Sequence, residues 1–200
     1  RDNRQVDFLA APDRELLPAQ ESTLQAGALE VDRPLGIGRF LGLDTDELHK
    51  LASGVLLLDV GNIQVPEDIL NKEGALSDDE LREIHKHVFY SVKLLKQSAG
   101  VDEDIINMAL THHERVDGSG YPNALSGQLA PVYGRIAAIV DCFDAMIRQQ
   151  AHARSITPHA ALQEIYRWRG KLFQDVLVDF FMQALGTYPC GSLVELSSGE

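Results

Sequence analysis

The sequence predicts an all-α fold, and three observations carry that prediction. Asp44-x-x-Glu47 and Ser77-x-x-Glu80 are capping boxes, and each opens a run of apolar residues at helical spacing. The run that Pro131 opens is apolar almost all round, as in a helix at the centre of a core. Strand-like alternation is confined to the tail, Gly191–Leu196, apart from a short extended piece at Asn62–Val65.

Taken in order, residues 1–39 read as an irregular segment or a linker from a missing domain. Pro12, Pro18, Pro34, Gly27, Gly36 and Gly38 interrupt them, leaving room for a short helix near Ser22–Val31. Residues 40–186 form the helical domain. The Asp44 helix carries Leu48, Leu51, Ala52, Val55, Leu58 and Asp59 on one face. Asp59 thus meets both the core and the negative end of the helix dipole, and it needs a cation or several donors.

Pro66 starts a short helix to Leu70. The Ser77 helix runs to about Gln97, with Ile84, His87, Val88, Ser91 and Leu95 on its core face and His85 off it. A lone histidine on such a face is more often a satisfied core residue than a ligand. Asp102 caps a helix in which Ile105, Ile106, Ala109, His112 and His113 share a stripe. The Pro131 helix buries Asp141, and Asp144 is spaced to pair with Arg148. Thr157-Pro158 and about Asp175 begin two more helices, and residues 187–200 form a strand-like tail.

Composition narrows the function. The 200 residues suffice for one core, and 44% are hydrophobic. A formal charge of -12 without a long basic run disfavours long nucleic acid, whose phosphates demand Lys and Arg. A small nucleotide held through metal ions is compatible with that charge. Cys142 and Cys190 lack CxxC spacing and read as incidental thiols in a reducing, cytoplasmic compartment. No apolar run reaches membrane-spanning length. A start at Arg1 and a strand-like end at Glu200 read as a piece of a longer polypeptide that holds the input or an anchor elsewhere.

The most specific string is His112-His113-Glu114-Arg115-Val116-Asp117-Gly118-Ser119-Gly120-Tyr121-Pro122. By themselves two adjacent histidines before a turn are weak evidence. Pooled with Asp59, His87 and Asp141, they give four helices that each aim an imidazole or carboxylate inward. Such a donor set suits iron, manganese, nickel or zinc, and the bundle core is where such sites are built.

HHERVDGSGYP resembles the H-H-E-x-x-D-G-x-G-Y-P pattern of the HD-GYP branch of the HD metal-dependent phosphohydrolases. LLLDVGNIQVPEDILNK is similar to that family's L-L-H-D-[IV]-G-K-x-x-[IV]-P-x-x-I-L-N-K. Arg135-Ile136, Asp141-x-Phe143-Asp144-Ala145-Met146 and the tail from Tyr188 extend the likeness, which covers roughly Phe40 to the end. The resemblance implies an HD-type bundle of about seven helices acting in bacterial cyclic di-GMP signalling. It implies Asp59, His87, His112, His113 and Asp141 as metal ligands, with Asp59 positioning a metal-bound hydroxide in an active enzyme. It implies Arg115, Asp117, Gly118, Gly120, Tyr121 and Pro122 as the substrate or partner loop. There Asp117-Gly118 also has plain turn chemistry, and Tyr121 suits either stacking on a base or docking a partner.

Departures from the pattern fall on the metal and phosphate side. Leu58 replaces the histidine of the HD pair, and Asn62 replaces a lysine. No histidine precedes Phe40, and Gln149–Ala153 stands where an R-P-x-R-like segment belongs. The expectation is a degenerate domain that holds one ion, two or none. Its partner is cyclic di-GMP or a diguanylate cyclase domain, and a sensory or receiver domain is fused outside this stretch. The alternatives are an active phosphodiesterase using the remaining ligands, or a structural module for homodimerisation with an empty site.

Overall fold

The structure is a computed structural model that describes residues 22–148 and 155–186. Its elements are α1 (Ser22–Leu41), α2 (Thr45–Leu57), a 3-10 turn (Val60–Gln64), α3 (Glu67–Leu70) and α4 (Asp78–His85). They continue with α5 (His87–Gln97), α6 (Glu103–Thr111), α7 (Val132–Ile147), α8 (Pro158–Arg167) and α9 (Asp175–Leu185). Among the described residues there is no strand, only two isolated bridges. The strand-like tail at 187–200 and the segment 1–21 lie outside the described residues.

Local signals set most helix starts. Both capping boxes form: Asp44 accepts from the Glu47 N–H at 2.9 Å and Ser77 from the Glu80 N–H at 3.3 Å. Asp102 accepts from the Asp104 N–H, and Thr157 accepts from the Ala160 N–H one residue before Pro158. Helix α7 is central. Ile136, Ile139, Val140, Phe143 and Met146 are all buried in the main cluster, where Phe143 meets Phe181 of α9 edge-on at 5.3 Å.

Three elements differ from the sequence reading. The extended piece expected at Asn62–Val65 is instead the 3-10 turn Val60–Gln64, whose Asn62 N–H is donated back to the Asp59 carbonyl at 3.0 Å. Helix α1 runs on through Pro34 to Leu41 instead of stopping near Val31. Proline inside a helix costs a hydrogen bond and a clash, but tertiary contacts offset that here. Ile37 is fully buried, Arg33 pairs with Asp144 of α7, and Gly36 lies so close to α9 that a Cβ would fall 2.6 Å from the Ala184 Cβ. Residues 22–41 therefore belong to the bundle rather than to an irregular lead-in. Likewise, one helix from Ser77 to Gln97 is two, jointed at Lys86. At the joint the Ile84 carbonyl is taken by His87 Nδ1 at 2.8 Å.

Candidate functional site

Four side chains converge at the open ends of three elements. Asp59 stands between α2 and the 3-10 turn, His87 opens α5, and His112 and His113 follow α6. Each offers one ligand atom, and these four atoms lie within 4.8 Å of one another. The histidines are buried; the Asp59 side chain is 17% exposed.

Backbone packing makes the convergence. Gly61 presses the 3-10 turn against α5, donating its N–H to Ser91 Oγ at 2.8 Å. A Cβ at Gly61 would fall 2.2 Å from the His87 carbonyl oxygen and 2.3 Å from the Ser91 nitrogen. Only glycine lets Asp59 come this close to His87.

The imidazoles are oriented by their far nitrogens. His87 Nδ1 lies 2.8 Å from the Ile84 carbonyl, and His112 Nδ1 lies 2.9 Å from the Ala109 carbonyl. A carbonyl only accepts, so both Nδ1 atoms donate and a neutral ring keeps its lone pair on Nε2. The two Nε2 atoms are 3.5 Å apart, and each is 3.4 Å from Asp59 Oδ1. Three lone-pair atoms at that spacing repel unless a proton or cation lies among them. Burial pushes the Asp59 carboxyl up, but His112 and His87 outweigh it and hold it well below the usual carboxylate range.

The donor set fits a divalent transition metal. Imidazole and carboxylate are its ordinary ligands, and groups about 2.1 Å from a tetrahedral ion stand about 3.4 Å apart. Histidine ligands also commonly anchor their second nitrogen on a carbonyl, as His87 and His112 do.

Asp141 is not one of these four. It is 5% exposed on α7, and α7 also carries Asp144, whose ion pair is with Arg33 of α1. Sequence spacing pointed Asp144 to Arg148 and gave no sign of Arg33. Leu58 is 1% exposed and belongs to the main apolar cluster, while Asn62 is 2% exposed in the 3-10 turn. The segment Gln149–Ala153 lies outside the described residues.

The loop after His113 folds back on itself. Asp117 Oδ1 accepts from the Ser119 N–H and hydroxyl, and Gly118 has φ of 79°. Asp117-Gly118 is therefore turn chemistry. Gly120 passes so near that a Cβ would fall 2.4 Å from the His113 carbonyl oxygen. Tyr121 then donates its N–H to that carbonyl at 3.3 Å, and the Tyr121–Pro122 peptide is cis. Arg115 turns inward: its guanidinium donates to the His112 and Glu114 carbonyls and lies over the Phe173 ring.

Two residues that sequence reasoning passed over matter here. Glu114 is 4% exposed, and its two carboxylate oxygens accept from the Asn123 and Leu125 amides, each at 2.8 Å. A carboxylate directly after two candidate ligands was the available signal. His85, off the core face of its helix, stacks on Tyr121 at 3.9 Å between ring centres. Helical spacing gave no hint of that contact, because the Lys86 joint and a distant loop create it.

A family model described as HD domain matches residues 21–175. A cyclic di-GMP phosphodiesterase of Pseudomonas aeruginosa is 31% identical over 166 residues, covering 83% of this chain and 40% of that protein. A cyclic di-GMP phosphodiesterase response regulator of Xanthomonas campestris is 36% identical over 144 residues, covering 72% and 38%. A 3'3'-cGAMP-specific phosphodiesterase of Vibrio cholerae is 34% identical, covering 74% and 28%. The chain thus spans less than half the length of these relatives. A solved HDG"Y"P protein from Bdellovibrio bacteriovorus superposes with a TM-score of 0.64 at 17% identity, over 80% of this chain and 51% of that one. At that identity the likeness is one of fold.

Proposed function

Because this chain belongs to the HD domain family, in its HD-GYP branch, we propose that it is a cyclic di-GMP signalling domain with weak or no hydrolysis. It binds a divalent transition metal through Asp59, His87, His112 and His113, with Asp141 as a further candidate ligand. It engages the cyclic dinucleotide, or a cyclase domain, along the loop from Arg115 to Pro122. One observation carries the reading: three buried imidazoles and a carboxylate converge within 4.8 Å. The names of its relatives supply the ligand class.

When bound, the metal supplies positive charge for phosphoryl oxygens and acidifies a bound water. The chain's own residues do the rest. The His87 and His112 Nε2 lone pairs and Asp59 stay available because Nδ1–H bonds fix the ring tautomers. The Asp59 carboxylate completes the donor set, with Oδ1 3.4 Å from both Nε2 atoms. Glu114 keeps the loop folded over the site.

Two substitutions support weak turnover. Leu58 lies in the apolar core and offers no ligand atom. Asn62 offers an amide where the family pattern carries a cation for the phosphate. A missing donor to developing charge typically costs about 100- to 1000-fold in rate.

An active phosphodiesterase is the second reading, favoured by the intact set of four ligands. Metal content by mass spectrometry and cyclic di-GMP turnover on purified protein test both. Bound metal with nucleotide or cyclase binding and negligible turnover supports the first reading. Bound metal with robust turnover supports the second. Absence of metal uptake together with absence of nucleotide and cyclase binding overturns both and leaves a structural, dimerising module. A cytoplasmic location and fused sensory or receiver domains belong to the same proposal.

A further inference from the structure

The Tyr121 ring lies between two imidazoles. On one side is His85, with centres 3.9 Å apart and planes 17° apart; on the other is His113, at 4.6 Å and 19°. Near-parallel stacking of this kind is an attractive ring contact. The column starts in a buried ligand and ends in a half-buried residue at the end of α4.

Both ends of the column are fixed to the site. The Lys86 joint places His85 and His87 on either side of one bend, so one short segment supplies both a ligand and the outer ring. The loop fixes Tyr121 through its N–H on the His113 carbonyl, and Gly120 permits that approach.

We infer that His85 and Tyr121 are positioning residues that hold the His113 imidazole in its ligating orientation through this stack. The inference rests on the metal-binding reading above. It also assigns Tyr121 a role that differs from base stacking: both ring faces are already covered, and only its edge is left to a ligand.

The test is a Co2+ titration of the 200-residue chain, read by competition with a chromogenic chelator and by the visible d–d band. His85→Ala and Tyr121→Leu should weaken Co2+ binding by about 10-fold or more, the scale on which residues orienting a ligand act. They should also shift the band. His85→Phe and Tyr121→Phe keep a stacking ring and should bind within about twofold of the unaltered chain.

A purely structural role would lower the melting temperature without moving the band. Should Tyr121→Leu fail to fold, His85→Ala, at a half-buried position, decides the matter. Unaltered affinity and band in His85→Ala overturn the stack alone, as does an equal loss in His85→Phe. An unaltered chain that takes up no Co2+ overturns the metal-binding reading and this inference together.

Discussion

Arg33 of α1 and Asp144 of α7 form an ion pair inside the bundle, with Asp144 fully buried and Arg33 12% exposed. The Arg33 guanidinium also lies 5.0 Å from the centre of the Phe143 ring. This contact fastens the first helix to the central one.

Removing one member of a buried pair strands the other charge, at a typical cost of about 3–5 kcal/mol. Arg33→Ala should therefore lower unfolding free energy by roughly 3 kcal/mol. Urea titration checks the value, and a loss under about 1 kcal/mol would mean that α1 docks mainly by apolar packing.

Gly61→Ala should remove metal uptake more completely than it removes fold. The new Cβ meets backbone at 2.2 Å and 2.3 Å, so the 3-10 turn must withdraw and carry Asp59 from His87. Metal analysis beside circular dichroism reads this outcome. Full metal content in a folded Gly61→Ala chain would contradict it.

Glu114→Ala leaves the Asn123 and Leu125 amides without their acceptor. Both amides lie near the surface and are held by this carboxylate, so they should exchange hydrogen faster while α7 amides stay protected. Uniform exchange rates before and after the substitution would show that the loop holds by other contacts.

Lys72 and Glu80 make a pH-dependent link between the end of α3 and α4, through two hydrogen bonds of 2.7 Å. Lys72 foremost, then the Ser77 backbone, lower the Glu80 carboxyl from 4.5 to about 2. A depressed folded-state value stabilises above the unfolded-state value and loses that contribution as pH falls through the folded one. The contribution should be complete above about 4.5 and gone near 2. Stability curves of the unaltered chain and of Lys72→Met should therefore converge across that window. Parallel curves would exclude the link as a contributor.

Leu58→His with Asn62→Lys should raise metal content and cyclic di-GMP hydrolysis together. Both positions are buried, at 1% and 2% exposure, so a polar replacement should also cost about 1–3 kcal/mol of stability. A folded double variant with unchanged metal content and rate would mean that other departures limit the site.

The sequence by itself determined the helical class and most helix starts, because caps and apolar periodicity act within a few residues. It also marked His87, His112, His113 and Asp59 as misfits on apolar faces. Tertiary structure alone decided where α1 ends, that the Ser77 helix bends at Lys86, and that Asp144 answers to Arg33. It alone also turned Arg115 inward and set Tyr121 between His85 and His113. The physical reason is range. A cap or a hydrophobic stripe is settled by neighbours along the chain, whereas a ring stack, a buried ion pair or a close glycine approach depends on segments tens of residues apart that only packing brings together.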